Sequence, residues 1–425
     1  MKKTVDRFSI LCLLFILAFH VALASDDIMV TNLFLEKARN GDASAQMELG
    51  NIYFFGNENF KVNYSLASYW FRKAAENGSP VAWFNLGICY EQGLGLEKNI
   101  FEAMKCYEKA SEAGVPQASY NMAISYLNGI YDDEKKVLTL EPSPSKGIEM
   151  LNKLSAEEFP LAMYKLAEIY LNGKYIEQNT EKAFALFSMS ANLGNTDAMC
   201  ALADLYHAGK GCEKNEEKKI EWLKLSAGKG NINAISKLAF CYEHGDGLPV
   251  DKNQAFELYS LASKNGDSMA QLKLGEAYLH GTFVPQNVET ARSLFLNASK
   301  NGNHYAIFNL ATMALEGIGE EKNEAKAAKL FLEAAKRGNS HAQYNIACLY
   351  FEGTGIPADK EAAFYWFKQA ASKNDEKAQR RLALCLLQGN GTKENFSEGI
   401  KWLKLAASNG DLPAEQLIKE FNLTD

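Results

Sequence analysis

Long apolar runs are missing from this chain after its first two dozen residues. No later stretch reaches about 18 apolar residues, so nothing beyond the start reads as a membrane-spanning helix. A basic excess is missing too. Lysine and arginine number 45 against 52 acidic residues, a net charge of −7. That leaves no surplus to neutralise phosphates and speaks against nucleic acid as a partner. Proline is scarce, at 9 of 425 residues, and glycine stands at 31, which excludes a flexible linker chain or a collagen. Cysteine never occurs as C-x-x-C, so neither a zinc knuckle nor a thioredoxin-type pair is expected. What is present is ordinary globular material, 47% hydrophobic and 23% charged, with enough apolar side chain to fill large cores.

The first 24 residues stand apart. Lys2, Lys3 and Arg7 make a short basic segment, Phe8 to Leu23 is almost unbroken apolar, and Ala22-Leu23-Ala24 precedes Ser25. This predicts a secretory signal peptide over 1–24, cleaved after Ala24, and an exported mature chain over 25–425 with no membrane span. An uncleaved anchor is the alternative, for which this apolar run is short. The expected location is periplasmic or secreted in a bacterium. In a eukaryote it is the secretory lumen or the cell exterior, where the six N-x-S/T sequons at Asn63, Asn77, Asn297, Asn390, Asn395 and Asn422 would count. Cys12 leaves with the signal. Cys89, Cys106, Cys200, Cys212, Cys241, Cys348 and Cys385 remain, an odd set that leaves at least one thiol free or paired between molecules.

The rest of the chain is one repeat. Alanines stand at 45, 82, 118, 162, 198, 234, 270, 306, 342, 378 and 414, with steps of 37, 36 and 44 and then 36 seven times. Eleven residues after each of the first ten comes a glycine, from Gly56 to Gly389. Four residues after comes Leu, Met or Ile, five after always Gly or Ala, and eight after Tyr in eight of ten. Offsets 0, 4 and 8 form one stripe of a helix. The glycine at offset 11 fits a left-handed C′ position. A loop follows, often Gly-x-Gly, and then a second helix such as Trp366-Phe367-Lys368-Gln369-Ala370-Ala371. The pattern predicts an all-α chain of ten helix pairs from about 45 to 413. Half-repeats cap it at 31–42 and 414–423, and an insertion lies at 130–145. Each pair buries its stripe only against its neighbours.

These residues resemble the Sel-1-like repeat family, relatives of tetratricopeptide repeats, over essentially all of 33–421. The resemblance implies a right-handed α/α superhelical solenoid that acts as a protein- or peptide-binding scaffold and not as an enzyme. A cysteine-rich bacterial branch of the family places a disulfide in each repeat, whereas the cysteines here do not recur in register. Some of that branch are linked to β-lactam hydrolysis, which keeps a hydrolase of that type as the alternative function. Two S-x-x-K matches, at Ser143 and Ser226, stand without S-D-N or K-T-G, and no catalytic residue is assigned.

Three further groups carry residue types capable of chemistry. His244 and His280 share offset 10 and His207 has offset 9 in the repeat before. Adjacent repeats about 10 Å apart are too far for shared metal ligation at ~2 Å per bond. They are read as solvated, and no metal or cofactor is expected. Trp70, Trp222, Trp366 and Trp402 share one position of the second helix and are read as core. Cys89, Cys241 and Cys385 share offset 7 and are read as buried small apolar residues. Cys89 and Cys106 fall on facing helices of one repeat, so a disulfide between them stays open.

If first helices line a concave groove, offsets 2 and 3 can face a ligand. The partner-binding residues are then Asn85, Asn121, Asn309 and Asn345 at offset 3, with the rings of Phe84, Tyr120, Phe308 and Tyr344 at offset 2. An Asn amide both donates to and accepts from a peptide backbone. The opposing reading is that the rings only pack between helices. The insertion is expected to be a tolerated surface loop, with a local break in curvature or a partner-contacting loop as the alternative.

Overall fold

A computed structural model describes residues 28–420 apart from 59, 133–136 and 283. The segment expected to direct export lies outside the described residues. The chain forms two compact units, the first running to Asn215 and the second starting at Glu216. The division falls between the two helices of the fifth repeat.

The first unit holds α1 (Ile28–Arg39), α2 (Ala43–Phe55), α3 (Tyr64–Glu76), α4 (Pro80–Gln92), α5 (Ile100–Glu112) and α6 (Pro116–Asn128). A hairpin of β1 (Ile130–Asp132) and β2 (Val137–Leu140) follows, then α7 (Pro144–Ala156), α8 (Pro160–Asn172), α9 (Thr180–Asn192) and α10 (Thr196–Ala208). The second unit holds α11 (Glu216–Gly228), α12 (Ile232–His244), α13 (Lys252–Lys264), α14 (Ser268–His280), α15 (Val288–Lys300) and α16 (His304–Glu316). It continues with α17 (Glu324–Lys336), α18 (Ser340–Glu352), α19 (Lys360–Ala371), α20 (Glu376–Gln388), α21 (Phe396–Ser408) and α22 (Leu412–Glu420). Within each unit a first helix packs on its own second helix, and that one on the next first helix.

Local chemistry sets the helix ends. An extended Asn or Asp accepts a hydrogen bond from the N–H three residues on: Asn195 from Ala198 and Asp267 from Ala270 before first helices, Asn99 from Glu102 and Asn323 from Lys326 before second helices. These bonds satisfy N–H groups that the helix itself leaves free. First helices stop at the repeat glycine, left-handed at Gly93, Gly173, Gly209, Gly245, Gly281, Gly317, Gly353 and Gly389. Gly56 and Gly129 also have positive φ but extended ψ, so those helices leave by a different turn.

The second glycine of Gly-x-Gly has another task. A Cβ on Gly355 would run into the backbone of Glu324 at the start of α17, and one on Gly391 into Lys360 at the start of α19. The bare backbone lets each loop sit on the preceding repeat.

The repeat alanines and the residues at offset 4 are buried, while the tyrosines at offset 8 are half-buried. The tryptophans differ from expectation. Trp70, Trp222, Trp366 and Trp402 are half-buried at the flank of the second helix. The residue after each one, Phe71, Leu223, Phe367 or Leu403, is the one aimed at the first helix and only 1% exposed. The small residue at offset 5 lies under that side chain: Gly50 under Phe71, Gly87 under Tyr107, Gly275 under Phe295.

The insertion in the third repeat is a β-hairpin, with Ile130 opposite Leu140 and Tyr131 opposite Leu138. Pro144 then opens α7 at its first turn, where proline lacks no needed donor.

Candidate functional site

The structure divides the eight residues expected to face a ligand. Phe84, Asn85 and Tyr120 are each 3% exposed, which corrects their placement on a binding surface. Phe84 packs against Tyr107 on the following helix, with ring centroids 5.8 Å apart, and Tyr120 against Phe159 at 6.0 Å. Asn85 donates only to the Met47 sulfur, at 3.8 Å. Neighbouring apolar side chains close over these positions in the first unit. Asn121 is half-buried on α6.

In the second unit Phe308, Asn309, Tyr344 and Asn345 are all half-buried. The rings still pack inside their repeats, Phe308 5.7 Å from Phe331 and Tyr344 5.9 Å from Phe367. Phe308 also lies 6.0 Å from His341, which ties α16 to α18. Burial pushes the Tyr344 phenol up, the neighbouring Cys348 adds to this, and a hydrogen bond with Arg381 pulls part of it back.

Other offset-3 side chains are engaged. Lys165 pairs with Glu168 at 3.0 Å and Lys273 with Glu276 at 3.5 Å, while Arg381 pulls the Tyr344 phenol down. The side-chain amides of Asn309 and Asn345 instead make no hydrogen bond to any described residue. They stand at the same place in successive repeats, each beside a half-buried ring.

His244 and His280 are exposed and line one cavity of about 390 Å³ with Glu243, Lys252, Lys273 and Glu276. Tyr259 donates to Glu243 at 2.8 Å. His244 stacks on Phe240 at 4.1 Å, with Nδ1 3.1 Å from the Phe240 carbonyl. Of the S-x-x-K serines, Ser226 is 0% exposed, closed to any substrate, and Ser143 precedes α7.

One recurrent polar device went unread in the sequence. Gln46, Gln271, Gln343 and Gln379 follow the repeat alanine. Each is buried and donates Nε2 to the carbonyl eight residues back, on Ala38, Ser263, Ala335 and Ala371, at 2.7, 3.3, 3.1 and 3.3 Å. Each of these carbonyls, in the last turn of the preceding second helix, also accepts the N–H three residues on, so the glutamine fills its second lone pair. The Ala-Gln pair in four repeats was the available signal.

Comparison with known proteins agrees with this geometry. The model of the Sel1 repeat matches residues 43–79, 80–115, 116–156, 160–195, 196–231, 232–267, 268–303, 304–339, 340–375 and 376–411. A protective antigen of uropathogenic Escherichia coli with an SLR fold is similar at 28% identity and a TM-score of 0.57, over 92% of this chain and 81% of that one. A Sel1 repeat protein of Oxalobacter formigenes is similar at 25% identity and a TM-score of 0.52, over 75% and 90%. Among curated proteins, the DAP3-binding cell death enhancer 1 of Rattus norvegicus is 38% identical over 77 residues, 18% of this chain and 14% of that protein. The chain thus spans only a small part of the curated relatives it matches. With ten matched repeats, helices paired as in the solved SLR structures and glycine-lined joints, the chain belongs to the Sel1 repeat family.

Proposed function

We propose that this chain is an exported scaffold, without catalytic activity of its own, that binds a protein or an extended peptide along the first-helix face of its second unit. Asn309 and Asn345 carry this reading. A half-buried amide with no partner in the fold has lost part of its water without gaining a hydrogen bond. Two of them in register offer a peptide backbone two donor–acceptor pairs. Phe308 and Tyr344 add apolar area beside them at little rotamer cost. The Sel1 repeat scaffold fits a protein-interaction role, and no described helix is long and apolar enough to cross a membrane. Export rests on the A-x-A end of the N-terminal apolar run.

The test produces the chain with its own N-terminus, recovers it from the exported fraction and uses it as bait. Its first residue should be Ser25. Asn309→Ala combined with Asn345→Ala should lose the captured partner while far-UV circular dichroism and Tm stay near wild type. Equal capture by the double variant refutes the site, and an intact Met1 on a membrane-bound form refutes export.

A further inference from the structure

In the second repeat two cysteines meet across a helix pair. Cys89 stands on α4, two residues after Gly87. Cys106 stands on α5, one residue before Tyr107. The Tyr107 ring covers Gly87 so closely that a Cβ there would lie 2.5 Å from Cε1. Its hydroxyl reaches on to Glu91 Oε2 at 2.7 Å. The two helices thus come close within one turn of both thiols. Cys89 and Cys106 share one buried cluster with Phe54, Ala67, Phe71 and Leu86. They are 0% and 3% exposed, and both are free thiols. Cys348 and Cys385 also border one cluster, but they stand on first helices of successive repeats.

We propose that Cys89 and Cys106 are a disulfide-forming pair that staples α4 to α5 when the chain folds in the presence of a small-molecule disulfide such as oxidised glutathione. One cysteine thiolate attacks the glutathione disulfide and releases one reduced glutathione. The other attacks the resulting mixed disulfide at the protein sulfur and releases the second. The two protein thiols are oxidised, the oxidant's disulfide is reduced, and the two thiol protons end on the departing glutathione thiolates.

Timing follows from the surroundings. Burial pushes Cys89 up to about 12 and Cys106 up to about 11, the Cys106 sulfur adding to the rise at Cys89 and Glu102 to that at Cys106. The attacking species is the thiolate, which is scarce once the helices have closed. The bond therefore forms during folding, and the folded dithiol resists the same oxidant. None of this depends on the binding or export reading.

The test unfolds the full chain under reducing conditions and refolds it in mixed oxidised and reduced glutathione. Thiols are then counted and disulfides mapped by mass spectrometry. The expected result is loss of two of the eight cysteine thiols, a single Cys89–Cys106 cross-linked peptide, and a higher denaturation midpoint than the reduced protein. Folded reduced protein given the same mixture should keep its thiols over the same period. Retention of every thiol after refolding overturns the proposal, as does a linkage that bypasses either cysteine. Cys106→Ala, refolded identically, should lose no thiol; loss of two from that variant also overturns it.

Discussion

Replacing Gly275 by alanine sets two physical effects of opposite sign against each other. In the interior of a helix, alanine is favoured over glycine by roughly 0.8–1.0 kcal/mol. On propensity alone Gly275→Ala should stabilise α14. The structure says otherwise. A Cβ at this position would lie 2.5, 2.7 and 3.0 Å from Cε1, Cδ1 and Cζ of Phe295. Carbon atoms rest at about 3.5–4.0 Å, so ring and helix must part by roughly 1 Å. Phe295 is 0% exposed and packed among Leu272, Ala291, Ala298, Ala306, Leu310 and Met313. Its displacement therefore presses on the next repeat. Overpacking of this kind costs about 1–3 kcal/mol. Ala311 and Ala347 already stand at the same offset, in repeats whose Phe331 and Phe367 are 1% exposed, so a helix pair can be built with both groups. That argues for the lower half of the range, and for a net loss of up to roughly 1 kcal/mol after the propensity gain. Urea unfolding followed by far-UV circular dichroism would read this as a lower midpoint. Adding Phe295→Leu should recover part of the loss, because Leu403 beside Ala383 shows that combination in the tenth repeat. A single variant as stable as the wild type, or more so, would refute the close-approach argument.

Two other outcomes follow from the first unit. Glu158 ends α7 with φ +58, where other repeats place a glycine of positive φ such as Gly266 or Gly338. A left-handed non-glycine residue costs roughly 1–2 kcal/mol and glycine gives back about half of that as entropy, so Glu158→Gly should gain about 0.5–1 kcal/mol in the same unfolding assay. Burial raises the Glu91 carboxyl above its ordinary value, while the Tyr107 hydroxyl and the charge of Lys98 pull it partly back. A raised acid holds its proton more tightly in the folded state. Its contribution is present in full below the ordinary carboxylate pKa and falls as pH rises through the raised value. Glu91→Gln should remove that fall, and equal pH profiles for the two proteins would show that Glu91 does not titrate in this window.

Periodicity was the most legible property of the chain. Alanine, leucine and glycine at fixed offsets reveal helix pairs because each answers a demand of local geometry: close packing, the stripe, the left-handed stop. Burial across the helix pair was less legible. Trp366 and Phe367 are both large and apolar, and only the crossing of two helices decides that Phe367 faces inward. The same holds for the site. Phe84 and Phe308 share an offset, yet Phe84 is enclosed and Phe308 half-open, because their neighbours differ. The hairpin at Ile130–Leu140 escaped for another reason. Its four intervening residues are charged, and its short strands carry no helical or long alternating period.

The glycines seated on a preceding helix start have a consequence for how such a protein changes over generations. Gly95, Gly355 and Gly391 meet main chain of the preceding repeat and not side chains, so those joints do not depend on which side chains the neighbour carries. A whole block can be duplicated or lost in register without redesign of its neighbours. A gain of a few residues has no such vacancy to enter and takes a form of its own, as the paired strands of the third repeat do. Inheritance in this chain is quantised by the backbone: the cheap step is one entire repeat, and a partner surface lengthens by whole rungs.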